Sequence, residues 1–297
     1  MPVRPTSVRY RVVALGTVVA ILLYLDRYCL SLVDRYIKRD LDISEPQMSF
    51  IHASFFLTYA IGQIPFGYIA DRFGPRRVLS SYIVIWSVLT GMMGLARGFG
   101  DLLVFRLGCG LFESGAYPAC SGMIRRWAPV TQRGTASGIV SLGGRIGGTL
   151  TPWLVSRMVL LFGSLAAVNS LFEGETWRPT FLTFGAFGVL VAIYFAVRHR
   201  DNPREHPSVN GAELDLIEAP PPVAPGTAKA EGIMAAPPCP TIAAPPLTFP
   251  ELLGSILRNF DFWRLSVYQF GANFGWAFFL TYLNRYLIEV HEIDDDA

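Results

Sequence analysis

Apolar residues gather in seven long runs, at 12–33, 48–70, 78–96, 102–124, 135–161, 180–197 and 265–287, and polar residues concentrate in the breaks between them. Each run holds about 18 to 27 residues, and at about 1.5 Å of rise per residue each crosses a hydrocarbon core about 30 Å thick. The pattern predicts seven membrane-spanning helices and an all-α membrane protein. The first run contains Asp26 and Arg27 and has no small-residue cleavage site ahead of a polar chain. It therefore reads as a retained helix rather than a leader that is removed.

One break differs from the others. Between the sixth and seventh runs the stretch 219–250 is built largely from Ala and Pro with few charges. It cannot bury a core and reads as a disordered or polyproline-like spacer, with a proline-recognising partner as the weaker alternative. The residues before it, DNPREHPSVNGAELDLIEA, allow a short helix around 212–217. The chain thus divides into a six-helix bundle at 1–198, a cytoplasmic linker at 199–261 and, at 262–297, the first helix of an incomplete second bundle.

Composition agrees with a membrane protein. Charged residues make up 16% of the 297 and hydrophobic residues 52%, against about 25% charged in soluble domains. With the N-terminus inside, the inner flanks carry twelve arginines and the outer flanks six Arg or Lys. That bias predicts a cytoplasmic N-terminus in the inner membrane. A net charge of +2 gives no reason to expect a nucleic-acid partner. Cys29, Cys109 and Cys120 fall within runs and Cys239 in the linker, so no disulfide framework is implied. With no metal cluster, Ser/His/Asp set or carboxylate pair at catalytic spacing, the sequence predicts neither an enzyme, a metal nor a cofactor.

The break between the second and third runs reads GYIADRFGPRR over 67–77. A basic topogenic loop needs the arginines but not Gly67, Asp71 and Gly74 at this spacing. The segment resembles the signature of the major facilitator superfamily, Gly-x-x-x-Asp-Arg-x-Gly-x-Arg-Arg, which joins the second and third helices of those transporters. Gly67, Asp71, Arg72, Gly74, Arg76 and Arg77 fill every position. The resemblance implies a cytoplasmic gate that locks helix ends of two bundles together in one conformation.

Ionisable residues inside spans are expensive and are functional candidates by default. Counting along the helices puts Asp26 and Arg27 about 21 Å from the inner edge and Arg106 about 6 Å from the outer one, at similar depth. Glu113 follows Arg106 by nearly two turns on the same face and lies near the midplane. Arg145, about 16 Å from the inner edge, is level with Glu113 on a neighbouring helix.

These positions carry a narrower resemblance. Tyr24-Leu25-Asp26-Arg27, Tyr59-Ala60-Ile61-Gly62-Gln63, the 106–118 run with Glu113, Gly115 and Pro118, Trp177-Arg178 and Arg200-Asp201-Asn202-Pro203 resemble the anion:cation symporters, the hexuronate, aldonate and phthalate permease-like branch of the superfamily. The resemblance implies an organic-anion substrate, often moved with protons, with Arg27 on the substrate carboxylate and Glu113 in coupling. The fifth helix departs from it. Arg145 stands where members often carry small polar residues, an added charge placed to alter substrate choice.

A guanidinium fork suits a carboxylate independently of any resemblance. Burial favours the neutral form of Glu113 while neighbouring arginines favour the charged form, so protonation of Glu113 or Asp26 would release an arginine for substrate. Static ion pairs closing the bundle are the alternative, above all for Asp26 with Arg106. Tyr24, Tyr59, Gln63 and Asn273 are candidates for contacts to substrate hydroxyls or the cavity wall, and helix packing is the competing role. Gly143, Gly144, Gly147 and Gly148 read as close helix contacts.

The expected protein is a secondary active transporter of a sugar acid or similar carboxylate, coupled to protons or sodium, working by alternating access in a lipid bilayer. An organophosphate or inorganic-anion exchanger using Arg27 and Arg106 as a pair, and a non-transporting fragment, remain as rivals. The superfamily pattern has twelve helices, so a C-terminal half is expected as a covalent or separate partner, and 1–297 alone is expected to insert without transporting.

Overall fold

The computed structural model describes residues 4–219, 248–272 and 274–275. The chain falls into two compact units, Met1–Thr241 and Ile242–Ala297. Among the described residues all regular structure is helical, as the apolar runs predict. In the first unit α1 spans Val8–Leu41, α2 Glu45–Phe73, α3 Pro75–Met93, α4 Phe99–Glu113, α5 Ala116–Trp127, α6 Arg133–Ser164, α7 Ala166–Leu171, α8 Trp177–Arg198 and α9 Gly211–Glu218.

The helix boundaries follow local chemistry. Gln47 Oε1 accepts from the backbone N–H and hydroxyl of Ser44, both at 3.0 Å, closing the start of α2. Gly74 ends α2 at φ 88°, a left-handed conformation that favours glycine, and Pro75 opens α3 with its φ already suited to a first turn. The fourth run, expected as one helix, is broken. Pro118 has no N–H for the Ser114 carbonyl, so the chain leaves the helix at Ser114 and Gly115. Bonds from Ser114 N to Gly110 O at 3.2 Å and from Ala119 N to Gly115 O at 3.0 Å hold the two sides.

By length and composition three helical segments among the described residues are apolar enough to cross a membrane, Val8–Leu41, Val130–Ser164 and Trp177–Arg198. The others are shortened or more polar. The fourth run is cut, and α2 carries His52, Gln63, Asp71 and Arg72.

The most extensive packing is of α1 along α6, α3 along α8 and α2 along α4. Glycines permit it. A Cβ at Gly147 would stand 2.6 Å from the Ile21 carbonyl oxygen, and one at Gly185 2.6 Å from that of Ser87. Trp86, Trp127, Trp177 and Phe181 fill the interior, while Leu57, Ile61, Val104, Leu160 and Leu190 face outward. An apolar exterior around an interior that holds ionic groups is the arrangement lipid demands.

The short helix expected around 212–217 is present as α9, and it packs against the start of α1. No side chain within the start of α1 caps that helix. Glu213 of α9 does so: its Oε2 accepts from Val8 N at 3.3 Å and from the Thr6 hydroxyl, and its Oε1 accepts from Arg9 N at 3.1 Å and Arg9 Nη1 at 3.2 Å. Asn210 caps α9 in turn, accepting from Glu213 N at 2.9 Å, and it donates to the Arg4 carbonyl at 2.7 Å. Glu213 is fully buried, so this carboxylate is held by the partial positive charge of the α1 terminus and by Arg9. In the second unit Glu251 caps α10, Phe249–Arg258, and helical backbone runs on over 260–272.

His199 follows the last turn of α8, 1% exposed, stacked on Phe195 at 4.9 Å and 6.1 Å from the Trp127 ring. Burial, then Arg76, Arg126, His206 and Arg200, push its pKa down from the ordinary 6.5 to about 3, with Asp201 3.8 Å away. The folded chain therefore refuses a proton that the unfolded chain accepts. Its contribution to stability is complete above about pH 6.5 and is lost as pH falls toward 3. The melting temperature in detergent should drop between pH 7 and pH 5, and His199→Phe should flatten that slope. An unchanged slope in the variant places the acid sensitivity elsewhere.

Candidate functional site

The buried charges of α1 and α4 converge on one cluster. Arg27 Nη2 lies 3.3 Å from Glu113 Oε2. The rings of Tyr24, Phe55 and Tyr59 surround the same guanidinium, with centroids 5.2, 5.1 and 4.6 Å from its central carbon. Such a cage favours a cation through the faces of its rings. Arg106 Nη2 donates to the Arg27 carbonyl at 3.0 Å, and its guanidinium lies 4.3 Å over Phe55. Asp26, one residue from Arg27 and so about 100° around the helix, accepts from Trp86 Nε1 of α3 at 3.1 Å. No ion pair joins Asp26 to Arg106.

Asp26, Arg106 and Glu113 are at most 2% exposed. Asp26 Oδ1, Arg27 Nε, Arg106 Nε and Glu113 Oε1 are buried without a hydrogen-bond partner. Four unsatisfied polar atoms thus lie in one cluster, at a depth where each is costly.

The backbone is arranged to bring these groups together. Glu113 is the last residue of α4, immediately before the break that Pro118 causes. Cβ atoms at Gly110 and Gly62 would collide with the Phe55 carbonyl and the Ser114 hydroxyl, so both glycines let α2 and α4 approach. On α6, a Cβ at Gly144 would stand 2.6 Å from the Tyr24 ring and 2.8 Å from the Tyr117 hydroxyl. Among the other sequence candidates, Gln63 is exposed one turn beyond Tyr59. Arg145 is exposed on α6 and pairs with no carboxylate among the described residues. Neither joins the cluster. Asn273 lies outside the described residues. Sequence reasoning passed over Trp86, Phe55 and Tyr117, whose aromatic side chains read like any others in an apolar run.

At 67–77 the contacts run to the rest of the first unit. Asp71 pairs with Arg125 of α5 at 2.8 Å, both well exposed, and Arg72 Nη1 donates to the Tyr68 hydroxyl at 3.1 Å. Asp201, just past α8, accepts from Arg76 N at 2.8 Å, and Arg76 Nε donates to the Ala196 carbonyl at 2.8 Å. A Cβ at Gly74 would fall 2.5 Å from Asp201 Oδ2, and one at Gly67 3.1 Å from Pro118 Cβ. Arg77 is exposed.

The profile of the Major Facilitator Superfamily matches residues 16–296. The "Probable sulfoacetate transporter" of Cupriavidus necator is 30% identical over 209 residues, covering 70% of this chain and 46% of that protein. The "Probable L-galactonate transporter" of Escherichia coli is 27% identical over 275 residues, 93% of this chain and 53% of its own. The chain therefore spans about half the length of these curated relatives. Among solved structures, a bacterial homolog of the human lysosomal transporter Spinster, inward-facing and unoccupied, superposes with a TM-score of 0.60 at 30% identity. That match covers 70% of this chain and 46% of the other.

The Asp26–Trp86 bond makes a direct prediction. Trp86→Phe leaves a buried carboxylate oxygen without its donor and should cost about 1 to 3 kcal/mol. Asp26→Leu in that background should recover much of the loss. Thermal unfolding of the four proteins in detergent gives the coupling, and strictly additive effects would contradict it.

Proposed function

Because the chain belongs to the major facilitator superfamily, we propose that it contributes the first bundle of a multi-pass, alternating-access transporter for a small organic anion. The carrying observation is the Arg27–Glu113 pair: a caged guanidinium held by one 3.3 Å contact to a buried acid that keeps its other oxygen unpaired. In this reading a proton arriving on Glu113 weakens the contact and frees Arg27 to grip a substrate carboxylate with its fork. Loss of the proton returns Arg27 to Glu113 and releases the substrate. Asp26 is the second candidate for the proton, and Tyr24 and Tyr59, whose rings already face Arg27, are contacts for the rest of the anion. The names of the relatives, sulfoacetate and L-galactonate, support carboxylates as the class to test.

The arrangement favours this reading over an exchanger that uses Arg27 and Arg106 as a pair. Arg106 is 2% exposed, and its guanidinium is engaged on a backbone carbonyl and a ring. The arginine bias supports a cytoplasmic N-terminus in an inner membrane, and the contacts of Asp71, Gly74 and Arg76 support a gate at that face.

Two measurements test the roles of the pair. Galactonate and sulfoacetate binding to the purified chain, followed by calorimetry, should weaken at least tenfold in Arg27→Lys, because an ammonium does not reproduce the fork. Undiminished affinity in the lysine variant would remove Arg27 from the site. The same titration in buffers of different ionisation enthalpy should reveal uptake of about one proton per anion. Glu113→Gln should bind anion with no proton uptake; persistent uptake in that variant moves the coupling role to Asp26. Uptake of the two anions by cells producing the chain, with and without a C-terminal bundle, tests transport itself.

A further inference from the structure

A second concavity lies away from the ionic cluster, where α1 begins and α8 ends. It measures about 570 Å³. Arg11, Arg198 and Arg200 stand around it together with His206, and Leu15, Val18 and Tyr194 form an apolar wall. From Arg11 to Val18 that wall extends about 10 Å along α1 toward the membrane interior. A trough of about 210 Å³ shares Leu15, Val18 and Tyr194 and carries the groove on past Leu190 and Val191. A basic mouth thus opens directly into an apolar channel on the flank of the bundle.

The arginines at the mouth are not neutralised. Arg11 and Arg198 are exposed and pair with no carboxylate among the described residues. Arg200 Nη1 donates only to the carbonyls of Val197 and His199, at 2.9 and 3.0 Å. All three lie close enough to His206 to lower its pKa further, after burial itself. Glu213, which acts on His206 in the opposite sense, is already engaged by Arg9 and the start of α1. An excess of arginine at this face follows from topology alone. Its convergence on the rim of a groove does not.

We propose that this cavity binds one anionic glycerophospholipid from the leaflet at the α1 N-terminus, the cytoplasmic leaflet in the orientation proposed above. The phosphate lies among Arg11, Arg198 and Arg200, and an acyl chain follows Leu15, Val18 and Tyr194 into the trough. A soluble anion would match the mouth but leave the trough unused, and a neutral lipid would fill the trough and leave three cations unpaired. The occupant engages Arg200, the residue before Asp201, which holds the 67–77 turn.

The test uses the purified 297-residue chain in detergent, titrated with phosphatidylglycerol and with phosphatidylcholine of the same acyl chains, read by native mass spectrometry and by melting temperature. Phosphatidylglycerol should bind at least tenfold more tightly and raise the melting temperature. Arg11→Gln with Arg198→Gln should lower phosphatidylglycerol affinity about tenfold and leave phosphatidylcholine unchanged. Arg97→Gln with Arg157→Gln, which removes the same charge elsewhere, should change neither. Val18→Trp, which fills the groove without touching charge, should weaken the binding of phosphatidylglycerol and keeps the test decisive if the arginine variant fails to fold. Equal affinity for the two lipids, an equal loss in the Arg97/Arg157 variant, or inorganic phosphate binding as tightly as the lipid would each overturn the proposal.

Discussion

A guanidinium buried among helices that face lipid constrains everything around it. An ionised side chain at the centre of a spanning helix costs about 2.5 to 3.5 kcal/mol on insertion scales. Stripping the partner from a buried pair costs about 3 to 5 kcal/mol. Arg27 meets this constraint with three rings and one carboxylate oxygen. The rings face the cation with their π systems, an attraction that does not depend on the charge of Glu113. A one-pronged contact to the acid is weaker than a bidentate one, and in the proposed function an incoming carboxylate would compete for it. The cage thus separates the two tasks of keeping the arginine buried and keeping it available.

The close approach that builds the site also joins it to the turn at 67–77. Glu113 ends α4; beyond the break, α5 places Pro118 against Gly67 and Arg125 beside Asp71. Phe66, next to Gly67, lies 5.4 Å from Phe112, the neighbour of Glu113. Site and turn therefore share α5 and one aromatic contact. The interruption at Ser114 and Gly115 separates this short helix from α4, where an uninterrupted fourth helix would run straight through.

The fold class was legible because the bilayer imposes one period and one length on every span, and the apolar runs display both. The 67–77 motif was legible because its glycines and charges sit at fixed spacing. Depth counting placed Arg27 and Arg106 level, and the 3.0 Å bond between Arg106 and the Arg27 carbonyl is consistent with that count. What the sequence did not display is which neighbour each charge chooses. Asp26 meets Trp86 rather than Arg106 because adjacent residues on a helix point about 100° apart, and no one-dimensional pattern records which helix lies in that direction. Glu213 was hidden for a different reason: a carboxylate in a stretch rich in Pro and polar residues looks solvated until the helix end it caps is placed beside it.

The charge count of the cluster bears on coupling. If both acids are ionised, Asp26 and Glu113 against Arg27 and Arg106 sum to zero, each group buried or nearly so. In the proposed function an arriving monocarboxylate would leave that volume with a net charge of −1, in surroundings where an unbalanced charge is costly. One proton on Glu113 restores neutrality and at the same step removes the competitor for Arg27. Co-binding of anion and proton then follows from electrostatics rather than from a dedicated relay. In the proposed function the Arg27–Glu113 pair is therefore where coupling would be set.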